Sequence, residues 1–233
     1  MWENNPPLGP FHGHPTLAVG LSHFWKLDEA SGTRADLIGG ITLADGNTVG
    51  SAAKGVGAPI GLPDTVAHFV AANNENLSHA DFLGPDATFS AAVWVKPVAA
   101  VLYTFIDSGG DGDLIFRGVT GVGGTLISYC RGFLGGPALV TGILDPITAG
   151  AWNLVGVYHN AVADLLGVSV NGAPWTTAAT GGANGTFANF LLGMRSGNIN
   201  PFDGDMSLAA MWSKILTNDE INDYHNNGNA LHY

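Results

Sequence analysis

The sequence is poor in charge, in cysteine and in long apolar runs, and each shortage removes a class of protein. Only 12% of its 233 residues are charged, with 8 Lys+Arg against 19 Asp+Glu and a formal net charge of −11. Electrostatic binding to nucleic acid needs clustered Lys/Arg that displace counterions, so nucleic acid is not expected as a partner. The lone cysteine, Cys130, cannot close an intrachain disulfide. No apolar run approaches the roughly 18 residues of a membrane-spanning helix. The best stretch, 91–106, is broken by Lys96-Pro97, so no membrane insertion is expected. The first twenty residues carry only Glu3 as a charge and lack the continuous apolar segment of a secretory signal. With Met1 in first place, the expectation is a protein made in the cytoplasm without a signal peptide. It would stay there or leave by lysis on a particle, with a secreted or cell-surface location as the alternative.

The chain is rich in what a turn-rich β protein needs. Hydrophobic residues reach 46%, too many for a disordered chain. The 34 Gly follow no three-residue period, which excludes collagen. Short runs rich in β-branched and aromatic residues, among them 66–70, 88–95, 154–158, 167–170 and 207–212, are separated by turn residues. That spacing marks a sandwich or barrel. Asn171-Gly172 is the strongest hairpin signal, because a type I′ turn needs positive φ twice. One helix is expected after the last strand. Thr217 is its N-cap, Glu220 completes a capping box, Ile221 and Tyr224 form an apolar pair, and Gly228 is the C-terminal stop. Residues 1–20, punctuated by Pro6, Pro7, Pro10 and Pro15, follow neither period and are expected to form an extended arm. Trp2 and Phe11 would help that arm dock on its own chain or on a neighbour.

Four blocks then point to a family. His23 to Asp36 (HFWKLDEASGTRAD) resembles the opening strand and loop of laminin-G-like, concanavalin A-like jelly rolls. Phe89 to Lys96 (FSAAVWVK) resembles the central strand. Trp152 to Tyr158 with Val168 to Gly172 resembles the central hairpin, and Phe202 to Trp212 with 216–228 resembles the closing strand and helix. In order, they cover about residues 21–229. The resemblance implies an all-β, antiparallel two-sheet β-sandwich with one short C-terminal helix, occupying 21–233. It leaves function open, since such folds host lectins, hydrolases and structural proteins. Trp25, Trp94, Trp152 and Trp212 lie in apolar strands and are expected to fill the space between the sheets.

The resemblance also implies at most one structural Ca²⁺, which would need six to eight oxygens. Asp36 matches the family's opening-loop aspartate. The closing motif ends in Ser207 in place of the usual Asp, and Asp205, two residues earlier on the same strand face, is the substitute ligand. No other cofactor is called for. The cluster Asp107 to Asp113 lacks the full twelve-residue Ca²⁺ loop and is expected to be a Gly-rich turn. Related hydrolases carry E-x-D-x-x-E, and none of the four glutamates, Glu3, Glu29, Glu75 and Glu220, begins it. No G-x-S-x-G elbow occurs. An enzyme is therefore not expected. The candidates for ligand stacking are aromatics outside the family blocks or beside loops: Trp175, Tyr103, Tyr129 and Phe133.

Taken together, the sequence predicts a non-enzymatic surface protein that binds or assembles. The leading reading is a decoration or adhesion protein of a phage-like virion, whose partners are neighbouring subunits, in a homo-oligomer, and surface glycans. The alternative is a free carbohydrate-binding module of the same fold.

Overall fold

The computed structural model describes residues 11, 14–83, 87–107, 115–120, 126–131, 138–179 and 187–231. Its described strands, in chain order, begin with β1 (Leu21–Trp25), β2 (Ala44–Gly46), β3 (Gly50–Ala53), β4 (Thr65–Phe69) and β5 (Asn76–Leu83). The middle of the chain supplies β6 (Phe89–Pro97), β7 (Tyr103–Asp107), β8 (Ile115–Thr120), β9 (Leu126–Arg131) and β10 (Ala138–Ile147). The last third supplies β11 (Asn153–Asn160), β12 (Leu165–Val170), β13 (Thr176–Ala179), β14 (Phe187–Leu192) and β15 (Gly204–Trp212). They form two antiparallel sheets. One runs β13-β12-β11-β6-β15-β4-β3, with β1 added on β15; the other runs β10-β9-β8-β7-β14-β5-β2. This is the expected jelly-roll sandwich.

Two apolar layers hold it, one on each face of the first sheet. Between the sheets lie Trp25, Phe69, Val93, Val95, Phe105, Val155, Met206 and Met211. The second layer lies on the outer face and holds Trp94, Leu154, Leu208, Ala210 and Trp212 from the strands. It is covered by helix α2 (Asn218–His225) through Ile221 and Tyr224, and by Leu17 of the one-turn helix α1 (Pro15–Ala18). Because both faces are covered, β6 and β15 are buried along nearly their whole length instead of alternating buried with exposed residues.

That double coverage corrects the expectation for the tryptophans. Only Trp25 belongs to the layer between the sheets. Trp94 and Trp212 point to the opposite face, and Trp152 packs half-buried at its margin. Their neighbours Val93, Val95 and Met211 face inward, and side chains one residue apart on a strand lie on opposite faces.

The expected arm is also partly domain. Phe11 is 1% exposed and lies edge-on to Phe24 and Tyr224 and stacked on Trp212. The Trp212 indole donates to the Leu17 carbonyl at 2.7 Å. Phe11 and Leu17 therefore pack on their own chain. Trp2, Pro6, Pro7 and Pro10 lie outside the described residues.

Helix α2 forms as the sequence predicts. Both halves of the Thr217/Glu220 capping box are present. The stop differs: Asn226, with φ +48°, takes the left-handed position, ahead of Gly228. Asn is the side chain that best tolerates that conformation after Gly. Asn171 and Gly172 both have positive φ, as a type I′ turn requires.

Candidate functional site

A cleft of about 250 Å³ opens where β1 ends. Its sides come from four distant parts of the chain. Lys26 and Asp28 follow β1. Gly61, Leu62, Pro63 and Asp64 belong to the loop between β3 and β4. Leu208 comes from β15, and Leu231 from the C-terminal segment. Leu62, Leu208 and Leu231 are buried members of the outer apolar layer, so the floor is apolar and the rim is charged.

The floor is built on unusual backbone. Opposite β6, β15 carries one extra residue between Ser207, paired with Trp94, and Ala210, paired with Ala92. Leu208 sits in this bulge at φ +48°, and Leu27 on the facing segment at φ +61°. Both are buried leucines in the left-handed region, which costs a side-chain-bearing residue on the order of 1–2 kcal/mol. Such outliers persist only where surroundings hold them. Here the Lys26 carbonyl accepts from the Leu208 N–H at 3.1 Å and the Ser207 hydroxyl at 3.2 Å. The Tyr224 hydroxyl donates to the Leu208 carbonyl at 2.9 Å. The bend places Lys26 and Asp28 on the rim while Leu27 between them is buried.

The β3–β4 loop closes the cleft from the other side. Gly61 has φ +99°, and a Cβ there would lie 2.1 Å from the Ala230 carbonyl oxygen, so only glycine fits. Lys54 ties the loop by donating to the Leu62 carbonyl at 2.8 Å and pairing with Asp64 at 3.3 Å.

The residues singled out from sequence are placed elsewhere. Asp36 is a structural anchor. Its Oδ1 accepts from the N–H groups of Phe24 and Ile38, and its Oδ2 from that of Ile41, with His23 Nδ1 2.7 Å away. Burial would raise its pKa. The hydrogen bonds from Phe24, His23, Ile38 and Ile41 outweigh this and hold the carboxyl below its ordinary value. Asp205 instead faces His68 at 2.8 Å and Lys96 at 3.6 Å. It lies four β15 residues from Ala209, the partner of Trp25, which in turn bridges Asp36. The two carboxylates do not converge, and the Ser207 hydroxyl is donated to Lys26. These residues do not fit a shared Ca²⁺ site.

Tyr103 is buried against Phe202 at a ring distance of 5.3 Å. Trp175 is half-buried on Tyr158 at 5.0 Å, and its indole donates to the Leu216 carbonyl at 2.8 Å, tying the segment before α2 to the sheet. Neither ring offers an open stacking face at the cleft. The Tyr129 side chain, Phe133 and the acidic turn 108–114 lie outside the described residues.

Lys26, Asp28, Asp64 and Leu208 were not singled out from sequence. Lys26 and Asp28 stand inside the opening family block, and the glycine and proline flanking Leu62 were the only local sign of the facing loop.

Comparison with known proteins agrees with this architecture. A family model described as the concanavalin A-like lectin/glucanases superfamily matches residues 69–222. Domain 4 of AbnA, an extracellular arabinanase from Geobacillus stearothermophilus solved with arabinotriose, is 17% identical. It superposes with a TM-score of 0.62 over 87% of this chain and 97% of that one. The binding domain of botulinum neurotoxin serotype D is 11% identical, with a TM-score of 0.60 over 92% of this chain and 52% of that one. A native heptameric SAP-like pentraxin from Limulus polyphemus is 17% identical, with a TM-score of 0.54 over 64% and 75%. At these identities the likeness is one of fold. Comparison with curated proteins finds no match.

Proposed function

The chain belongs to the concanavalin A-like lectin/glucanases superfamily, and we propose that it is a non-catalytic carbohydrate-binding module whose site is the cleft between Lys26 and Asp64. The observation that carries this reading is the cleft's make-up: an apolar floor of Leu62, Leu208 and Leu231 beneath a rim of Lys26, Asp28 and Asp64. A pyranose or furanose offers the complement, an apolar C–H face and an edge of hydroxyls. Carboxylate rims accept hydroxyl protons in strong charge-assisted bonds. The arabinotriose complex of the AbnA domain supports the reading by analogy of fold.

The narrower reading, a decoration or adhesion protein on a virion surface, rests on composition and on the arm. Phe11 and Leu17 pack on the home domain, which removes part of that support, so the free binding module is preferred. Surface glycans are the partners it calls for.

A glycan array followed by titration calorimetry tests the proposal. Wild-type protein should bind at least one oligosaccharide class, and Asp28→Ala and Asp64→Ala should each weaken binding about tenfold or more, as for loss of a charged hydrogen bond. An array without binders overturns the reading. Hydrolysis of a bound oligosaccharide overturns its non-catalytic part.

A further inference from the structure

The charges around the cleft are unequally compensated, and this bears on which sugars it takes if the glycan-binding reading holds. Asp64 is paired with Lys54 at 3.3 Å. Asp28 lies in the field of Arg34, whose fully buried side chain also attracts Glu29 and Asp45. The Lys26 ammonium has no ion-pair or hydrogen-bond partner among the described residues. Its backbone, in contrast, is fixed: the Lys26 carbonyl is held by two donors, and the neighbouring left-handed Leu27 is buried. The rim thus carries a lysine on a fixed backbone whose ammonium lacks an ion-pair partner among the described residues, in a chain of net charge −11.

We propose that the cleft selects a sugar acid, a saccharide unit bearing a carboxylate. The carboxylate pairs with Lys26 Nζ, a C–H face rests on Leu62, Leu208 and Leu231, and hydroxyls donate to Asp28 and Asp64. A lysine serves this role as a point charge rather than a bidentate fork, so a carboxylate in more than one ring geometry is acceptable. Attraction at this half-open site is screened by salt.

The test uses the full chain and two matched pairs: tri-galacturonic acid against its methyl ester, and 3′-sialyllactose against lactose. The pairs distinguish a uronic acid from a nine-carbon sugar acid as the source of the carboxylate. In at least one pair the acid should bind about tenfold more tightly than its neutral partner, a charge-assisted contact's worth. The margin should shrink with added salt, vanish in Lys26→Gln and persist in Lys26→Arg, with both variants melting as wild type does. Equal binding of acid and neutral partner overturns the sugar-acid proposal and leaves the glycan-binding reading standing. So does an acid preference that survives Lys26→Gln. Failure of all four sugars on a protein that also binds nothing on the array overturns both.

Discussion

The backbone N–H of Leu208 donates to the carbonyl of Lys26 at 3.1 Å, and this bond joins the β15 bulge to the turn that leaves β1. Residues 182 positions apart in number thereby set one another's conformation, with Leu27 and Leu208 both left-handed beside the bond. The cleft opens beside this pair, over an apolar floor of Leu62, Leu208 and Leu231.

The opposite side of the cleft depends on Gly61. Gly61→Ala meets the Ala230 carbonyl and a positive φ together. It should destabilise the fold by about 1–3 kcal/mol and, by shifting the C-terminal segment that carries Leu231, weaken glycan binding. Thermal melting and titration on the same variant check both; wild-type values in each would remove Gly61 from the design of the site.

Asp36 makes a pH prediction whose sign is fixed. Its pKa in the fold is below the ordinary value of 3.8, so the unfolded chain takes up the proton first as pH falls. The stabilisation is fully present above the ordinary value and is lost as pH drops through the depressed one. Chemical denaturation at pH 6 and pH 3 should show wild type losing more stability than Asp36→Asn over that interval. Asp36→Ala, which orphans buried N–H groups, should cost on the order of 3 kcal/mol near neutrality.

Phe11→Ala tests whether the N-terminal segment is part of the domain. The ring is buried among Phe24, Trp212 and Tyr224, and its removal should cost about 3–5 kcal/mol. A variant as stable as wild type would mean that the segment is an appendage.

The helix cap offers a smaller, local effect. Thr217→Ala removes the acceptor of the Glu220 N–H, 3.1 Å away, and should cost about 1 kcal/mol. Trp175→Phe, which keeps the ring on Tyr158 and drops the bond to the Leu216 carbonyl, should cost about the same. Equilibrium unfolding measures both.

How much was readable in advance follows from the range of each interaction. The capping box at Thr217 and Glu220 and the turn at Asn171-Gly172 were legible because their partners lie within three residues. The helix stops at Asn226, two positions before the Gly228 that the sequence suggests, since both can adopt the left-handed conformation and local sequence does not rank them. Trp25 lies between the sheets as expected, whereas Trp94 and Trp212 lie in the outer layer, because β6 and β15 are buried on both faces. Without alternation, nothing in the residue types tells Trp94 from Val93.

The chain's own letters therefore decide its class: short strands, tight turns, one capped helix, little charge and no disulfide, each a property of composition or of near neighbours. The site belongs to the tertiary structure. Lys26, Asp64, Leu208 and Leu231 meet only when β1 pairs with β15 and the β3–β4 loop closes on the C-terminal segment. The same closure turns Asp36 from a metal candidate into an acceptor for backbone N–H groups, because a carboxylate's role is set by the donors that surround it.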